Sequence, residues 1–349
     1  GFMYGDGAFE TLRVYGGTPF EWEAHADRLR RSCETLGFAD ALPPALAAGL
    51  TTVRDVGCKG KLAFKLHNAV KEGIFTAPRL VVGGRPLTTT GGHCHYFGGE
   101  VDTEGDMIKE VRTMVKQGAD FIKVMANGGG TPRTKSWQPA FSESELRTIT
   151  EEAHRSDLPV FAHVNCPEAI ENSLKAGVDG LEHVSFTSNS DLEADYQPRL
   201  AELISEKEVY VDFTLQVNKA GYEAADKGSE KTDRKRMFEG MLEITSKLSK
   251  GDNPIIAGSD AGWTSNPFGD FIEPELLVEA GVSKRRALAA ATVNAAEALN
   301  ISDSVGSLKP GKEADLIILS SNPLKSISAL RSIEGVIKGG EPVFNYQKG

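Results

Sequence analysis

The chain has 349 residues, a hydrophobic fraction of 40% and a formal net charge of −10. This length is sufficient to bury the core of one barrel-sized domain and a smaller companion domain. The acidic balance argues against unspecific nucleic-acid binding, which needs a basic face, and no apolar run is long enough to span a bilayer.

The cysteines of the chain are few and far apart. Cys33, Cys58, Cys94 and Cys166 show no CxxC spacing, so they indicate neither a zinc knuckle nor a dense disulfide framework. Reduced thiols fit this pattern best. The composition therefore predicts a cytoplasmic protein without a nucleic-acid or membrane partner.

The opening segment, GFMYGDGAFETLRVYGG (1–17), predicts a strand that enters a hairpin, because AFETLRVY alternates apolar and polar residues. From about residue 50 onward, short apolar runs alternate with amphipathic helical stretches, the pattern of βα units in a parallel sheet. The strand candidates are TTVRDV (51–56), RLVVGG (79–84), DFIKVMA (120–126), PVFAHV (159–164), DGLEHVSF (179–186), EVYVDFTL (208–215) and NPIIAGSD (253–260). Seven such units predict a TIM-type (β/α)8 barrel of the α/β class that is incomplete or altered at its first strand.

Helical patterns fill the intervals between the strand candidates. They are GKLAFKLHNAVKEG (60–73), EGDMIKEVRTMVKQG (104–118), SESELRTITEEAHRS (142–156) and PEAIENSLKAG (167–177), several ending at glycine. Two further helical segments follow the last strand, one of them the alanine-rich KRRALAAATVNAAEALN (284–300). The end of the chain reads as turns and short strands. We therefore expect an N-terminal segment (1–44), a barrel (45–302) and a small C-terminal β subdomain (303–349).

Polar residues stand in four of the apolar strand candidates, at the strand ends where barrel enzymes carry their catalytic groups. They are Lys123 in DFIKVMA, His163 in PVFAHV, His183 in DGLEHVSF and Asp260 in AGSDAG. Any one of them alone is explained by a buried, hydrogen-bonded side chain. Together, two imidazoles, a carboxylate and a lysine at one barrel mouth predict a site for a divalent cation such as zinc. A lysine becomes a good ligand when its neutral amine captures carbon dioxide as a carbamate, and burial favours the neutral amine.

Residues from about 45 to 343 resemble the amidohydrolase superfamily, in the branch of imidazolonepropionase-like and Xaa-Pro dipeptidase-like metallopeptidases. The matching stretches are AAGLTTVRDVG, TTTGGHCH, GADFIKVMANGG, VFAHVNCPEAI, GVDGLEHVSF, IAGSDAG, ATVNAAEAL and VGSLKPGKEADLIIL.

The resemblance implies roles for five side chains. Lys123 would be the carboxylated bridging ligand, His163 and His183 would hold one metal, and Asp260 would bind the other metal and move protons. It also implies that His93, in TGGHCH, lies near the substrate, with residues 128–137 as a mobile loop over the mouth. The implied activity is hydrolysis of a small amide or dipeptide by metal-activated water, with one or two zinc ions as cofactors.

One expected motif is missing. The family begins its barrel with a strand ending in HxH, which completes the first metal site, and this sequence has no such strand. His25 and Asp27 are a conceivable substitute, but their charged, helical surroundings favour a solvated helix face. We therefore expect a mononuclear or metal-poor site with impaired hydrolysis.

Residues 1 to 38 instead resemble the start of a class IV pyridoxal-phosphate aminotransferase, in which Arg28 would contact the cofactor phosphate. The Schiff-base lysine of that family lies in a portion that this chain does not contain, so transamination is the alternative rather than the choice. A folded but inactive amidohydrolase-like barrel is a third hypothesis. Arg133 and Lys135 are candidates for binding a substrate carboxylate, and a homo-oligomer is expected.

Overall fold

The computed structural model describes residues 14–15, 18–19, 44–74, 76–189, 193–225, 228–262 and 270–345. In the opening segment, Val14–Tyr15 pairs antiparallel with Thr18–Pro19, as a hairpin would. The rest of that segment, including His25, Asp27 and Arg28, lies outside the described residues.

Seven short parallel strands form the centre of the molecule. They are β1 (Thr52–Asp55), β2 (Arg79–Val82), β3 (Ile122–Met125), β4 (Val160–Val164), β5 (Gly180–His183), β6 (Tyr210–Asp212) and β7 (Ile255–Ile256). All seven lie within the runs that the sequence predicts as strands, and they confirm the TIM-type α/β class. Each strand is shorter than its apolar run.

Helices cover the outside of these strands. They are α1 (Leu62–Lys71), α2 (Glu104–Gln117), α3 (Glu143–His154), α4 (Pro167–Ala176), α5 (Pro198–Glu206), α6 (Leu215–Ala224), α7 (Ser229–Leu248), α8 (Glu273–Glu279), α9 (Lys284–Ala290) and α10 (Val293–Ala298). Single-turn 3₁₀ helices lie at His95–Phe97 and Ile327–Arg331. None of the helices in the described ranges is both long and apolar enough to cross a membrane.

Local sequence explains where several helices begin and end. Ser142 and Glu145 form a capping box at the start of α3, and the Thr103 hydroxyl accepts from the Asp106 amide at the start of α2. α2 ends at Gly118, whose φ of 91° is a left-handed conformation that glycine adopts without strain. These local signals agree with the tertiary fold and fix the lengths of the βα units.

The alanine-rich stretch 284–300 differs from its prediction as one helix. It divides into α9 and α10, because Thr292 has φ −135° and ψ −96°, which no helix continues through. The Ala257 amide donates to the Ala290 carbonyl at this break, and the Asn294 side chain donates to the Ile255 carbonyl. The break therefore lets the helical pair pack against the end of β7.

The parallel strands do not close on themselves within the described part of the chain. β1 pairs with β2, and β3 to β7 form a five-stranded sheet in sequence order. Leu87, just after β2, bridges to Val124 of β3, which joins the two sheets. No pairing connects β7 to β1 among the described residues. The predicted absence of one barrel strand corresponds to this opening.

The interior between the strands is layered. A small apolar cluster fills the bottom, formed by Val81, Phe121, Phe161, Ile256 and Ala298. The next layer is charged and lies toward the carboxyl ends of the strands. The strand register explains why the charged layer follows the apolar one. Phe161 pairs with Gly180, and two residues further along the same strands His163 pairs with Glu182, which also pairs with Asp212. Side chains two residues apart on a strand point to the same side of the sheet.

A separate three-stranded antiparallel sheet closes the chain. Its strands are β8 (Leu316–Leu319), β9 (Ile333–Lys338) and β10 (Glu341–Asn345), in that order. Leu46, Ile333 and Val336 form its buried core. This agrees with the small β subdomain expected from the sequence, while the predicted segment boundaries stay predictions.

Candidate active site

The five residues singled out from the sequence line one large cavity at the carboxyl ends of the strands. Its volume is about 1810 Å³. The five are His93, Lys123, His163, His183 and Asp260. The cavity also extends along β1 and β7, at the edges that no other described strand pairs with. The chain therefore brings all five together at the place where barrel enzymes carry their chemistry.

Three imidazoles stand in a row in this cavity. The ring centroids of His93 and His163 are 4.6 Å apart, and those of His163 and His183 are also 4.6 Å apart. Burial is the main cause that lowers the pKa of each ring, to about 4 for His93 and well below the ordinary value for the other two. All three are consequently neutral near pH 7, and a neutral imidazole has the lone pair that a metal or a proton needs.

Each ring is held by a neighbour. Thr131 and Thr214 hydroxyls lie 2.9 Å and 2.7 Å from the Nδ1 atoms of His93 and His183, respectively. Nε2 of His163 lies 2.9 Å from the side-chain amide of Asn165. The His93 and His183 rings are thus oriented through Nδ1, and Nε2 of His93 lies 3.6 Å from Cys94 Sγ.

Lys123 and Asp260 have pKa values displaced toward neutrality. Burial lowers the pKa of Lys123 to about 7, and the positive charge of Arg54 lowers it further. Burial raises the pKa of Asp260 to about 6, although the positive charge of Lys123 opposes the rise. Perturbed groups of this kind concentrate at functional sites.

A buried ionic layer lies beneath the histidines, and it was missed in the sequence. Arg54 Nη2 lies 2.9 Å from Glu182 Oε1 and donates across 3.1 Å to Asp212 Oδ2. Lys123 Nζ forms an ion pair with Glu182 Oε2. No local signal in the sequence finds this layer, because its contacts join strands that lie far apart in the chain and only the register sets Glu182 opposite Asp212.

Backbone conformation turns several strand ends into the cavity. His183 has φ 73°, Val184 51°, Thr214 49° and Asp260 51°, all in the left-handed region that non-glycine residues avoid. The turn at His183 breaks the alternation of β5, so that Glu182 and His183 line the same cavity although they are consecutive. Strain of this kind persists where the surrounding structure holds it in place.

The loop after β3 is attached to the segment that carries His93. The Thr131 hydroxyl accepts from the Cys94 amide, and a Cβ at Gly129 would overlap the His93 ring. The loop therefore lies against the cavity, where the resemblance placed it. Arg133 and Lys135, the candidates for carboxylate binding, are exposed and are not among the described residues that line the cavity.

The donors of the cavity agree in type with a divalent cation. Neutral imidazoles, a partly buried carboxylate and a lysine of low pKa are groups that such an ion binds, the lysine after it forms a carbamate. Within the described residues, however, no three His, Cys, Asp or Glu side chains are arranged as a ready metal site. A metal site in this cavity therefore needs Lys123 as a further ligand. In this structure Lys123 forms an ion pair with Glu182.

Comparison with known proteins gives a consistent result. The model of the Amidohydrolase family matches residues 19–343. The ochratoxinase of Aspergillus niger is 29% identical over 332 residues, which cover 85% of this chain and 66% of that protein. Its crystal structure superposes with a TM-score of 0.77 at 25% identity, covering 98% of this chain and 82% of that one. The chain thus spans just under two thirds of the curated relative in the sequence match.

Two other relatives are a Xaa-Pro dipeptidase and an imidazolonepropionase, the two kinds of protein that the sequence resembles. The crystal structure of a Xaa-Pro dipeptidase with bound methionine in the active site has a TM-score of 0.78 at 26% identity, with 93% of this chain and 80% of that chain covered. The imidazolonepropionase of Geobacillus kaustophilus is 44% identical over 100 residues, 27% of this chain and 24% of that protein.

The resemblance of residues 1 to 38 to a class IV aminotransferase has no support from these comparisons. The matched region begins at residue 19 and so takes in half of that segment. The aminotransferase alternative is therefore not supported.

Proposed function

The chain belongs to the amidohydrolase family, and on that premise we propose that it is a divalent-metal-dependent hydrolase of an amide or peptide bond in a small substrate. The observation that carries the proposal is the shared cavity of two neutral histidines, a partly buried aspartate and a low-pKa lysine. The named relatives, an ochratoxinase and a Xaa-Pro dipeptidase, support this substrate class.

His163, His183, Asp260 and the carbamate of Lys123 would hold the ion. Bound there, a divalent cation supplies Lewis acidity and lowers the pKa of water to about 7. For His183, the contact between Nδ1 and the Thr214 hydroxyl would leave Nε2 to bind the ion. For His163, Nε2 lies 2.9 Å from the Asn165 side-chain amide and 3.3 Å from the Gly128 carbonyl, and both contacts would have to yield if this nitrogen were the ligand.

Asp260 is the proposed proton carrier. Its pKa of about 6 lets it take a proton from the attacking water near neutral pH and return it to the leaving amine. His93 lies beside His163 and below the loop that contains Gly129, a position in which it can meet the substrate carbonyl. The loop covers one side of the cavity and limits the access of bulk water.

Hydrolysis of a panel of dipeptides and N-acyl amino acids tests the proposal. The protein is treated with chelator, then incubated with zinc and bicarbonate, and release of the free amine is measured. We expect hydrolysis in the reloaded protein that is lost in Asp260→Asn and retained in Asp303→Asn, a change in the loop before the C-terminal sheet. Equal rates with and without metal would contradict the proposal.

A folded barrel without activity is the second candidate. It is favoured by one observation, the lack of three convergent His, Cys, Asp or Glu donors among the described residues. Failure of every substrate in the panel, in protein that melts cooperatively and retains zinc, would support this alternative.

A further inference from the structure

Glu182 stands between two cations at the bottom of the cavity. Its Oε2 atom forms an ion pair with Lys123 Nζ, and its Oε1 atom lies 2.9 Å from Arg54 Nη2. Lys123 and Glu182 are only 2% and 3% exposed, so that water screens neither contact. The carboxylate is therefore shared between a lysine and an arginine.

Arg54 has capacity for a second contact with this carboxylate. Its Nη2 atom forms an ion pair with Glu182 and donates a hydrogen bond to Asp212. Its buried Nη1 atom has no hydrogen-bond partner among the described residues. The guanidinium is fixed in place over the rings of Phe161 and Phe121, at 4.6 Å and 5.7 Å from their centroids. An arginine fork binds a carboxylate best through two parallel hydrogen bonds.

Carbamate formation would change what Lys123 offers to Glu182. The ammonium of Lys123 first loses a proton to water, which frees the lone pair of Nζ. This lone pair forms a bond to the carbon of carbon dioxide, one C–O π bond becomes a C–O⁻ group, and a second proton leaves the nitrogen for water. The product is an anion with two oxygens at the place where the ammonium stood. In a buried cavity, a carboxylate in contact with such an anion is strongly unfavourable.

We propose that Glu182 is a positioning residue that pairs with Lys123 before carbamate formation and turns to Arg54 when the carbamate forms. In the second state, both Glu182 oxygens meet the guanidinium, and Nη1 gains the acceptor that it now lacks. Arg54 is then the alternative partner that makes the modification of Lys123 possible. The inference rests on the proposed function only in requiring a carbamate at Lys123.

The experiment measures the carbamate itself, without metal or substrate. Chelator-treated protein is titrated with ¹³C-bicarbonate, and the carbamate carbon signal is followed by NMR, with Lys123→Met to assign the signal to this residue. We expect Glu182→Gln to lower the bicarbonate concentration at half-saturation by roughly three- to tenfold, the range expected on removal of one close charged partner. Arg54→Met should raise the bicarbonate concentration at half-saturation. In the double variant, this concentration should be lower than in Arg54→Met and close to that of Glu182→Gln.

Each outcome decides the inference. An unchanged or higher half-saturation concentration in Glu182→Gln, or no signal in any variant, overturns it. Glu182→Gln is close to isosteric, so it decides the question even when Arg54→Met fails to melt cooperatively. A carbamate that responds as expected in protein without hydrolase activity rejects the proposed function alone. Zinc-dependent hydrolysis with an unmodified Lys123 rejects the inference alone.

Discussion

Arg54 Nη2 donates a 3.1 Å hydrogen bond to Asp212 Oδ2 and so connects the first and sixth barrel strands, 158 residues apart in the chain. Burial raises the pKa of Asp212, and the Arg54 guanidinium opposes that rise. This contact crosses the interior of the barrel above its apolar cluster. It ties the edge strand β1 to the opposite wall, where no strand pairing does so within the described part of the chain.

Substituting Arg54 should therefore destabilise the fold. Arg54→Met leaves Asp212 buried without this cation and leaves Glu182 with Lys123 alone, and we expect the free energy of unfolding to fall by about 3–5 kcal/mol. Arg54→Lys keeps the charge but cannot serve two carboxylates with one fork, so its loss should be smaller. Urea denaturation of both variants measures this, and an Arg54→Met protein as stable as the parent would contradict the account.

Gly258 packs closely against Asp212 of the ionic layer. Its amide donates to Asp212 Oδ1 across 2.9 Å, and a Cβ at this position would overlap the Asp212 carboxylate. We expect Gly258→Ala to lower the free energy of unfolding by about 1–3 kcal/mol, the usual cost of overpacking. Gly105→Ala is the matched control, because the nearest atom to its new Cβ is 3.7 Å away. Equal melting temperatures for the two variants would refute this assignment.

His93 should make the metal-free protein sensitive to acid. Its pKa is about 4 in the folded chain and about 6.5 when unfolded, so the unfolded chain binds more protons between these values. The contribution of His93 to the free energy of unfolding is therefore fully present above pH 6.5. It decreases by about 3 kcal/mol as the pH drops toward 4. His93→Asn should flatten the curve in this window, as unfolding free energies in the presence of chelator would reveal. An unchanged slope would count against a buried neutral His93.

The opening between β1 and β7 should bind apolar ligands. The cavity reaches along both edges, which pair with no further strand in the described ranges, and open edges with apolar lining are prone to association. We expect the protein to increase the fluorescence of a hydrophobic dye at room temperature, well before it melts. A cooperative melting transition without dye binding would mean that the gap is filled, for which AFETLRVY, outside the described residues for most of its length, is the candidate in this chain.

Sequence patterns predicted the strands better than they predicted the site. The seven apolar runs were sufficient to predict the seven parallel strands, because a strand buried on both faces has a continuous apolar sequence. Lys123, His163, His183 and Asp260 stood out for the same reason, as polar residues inside such runs. The break at Thr292 was not predictable, because alanine-rich sequence favours one long helix and packing against β7 overrides that preference.

The ionic layer depended on long-range contacts that no local pattern shows. Arg54, Glu182 and Asp212 come from three strands, and each alone reads as an ordinary charge at a strand end. Only the register, which sets Glu182 opposite Asp212, shows that they face the same interior. The left-handed φ at His183, which brings it beside Glu182, has no signal in the sequence either.

The most direct test of the central claim is the metal content of the purified protein. After equilibration with excess zinc and bicarbonate and removal of unbound metal, we expect about one zinc per chain by elemental analysis, since one set of donors is available. His183→Asn should lose most of this zinc, whereas His154→Asn, which changes an exposed histidine at the end of α3, should retain it. Two tightly held metals per chain, or equal zinc in both variants, would contradict the account.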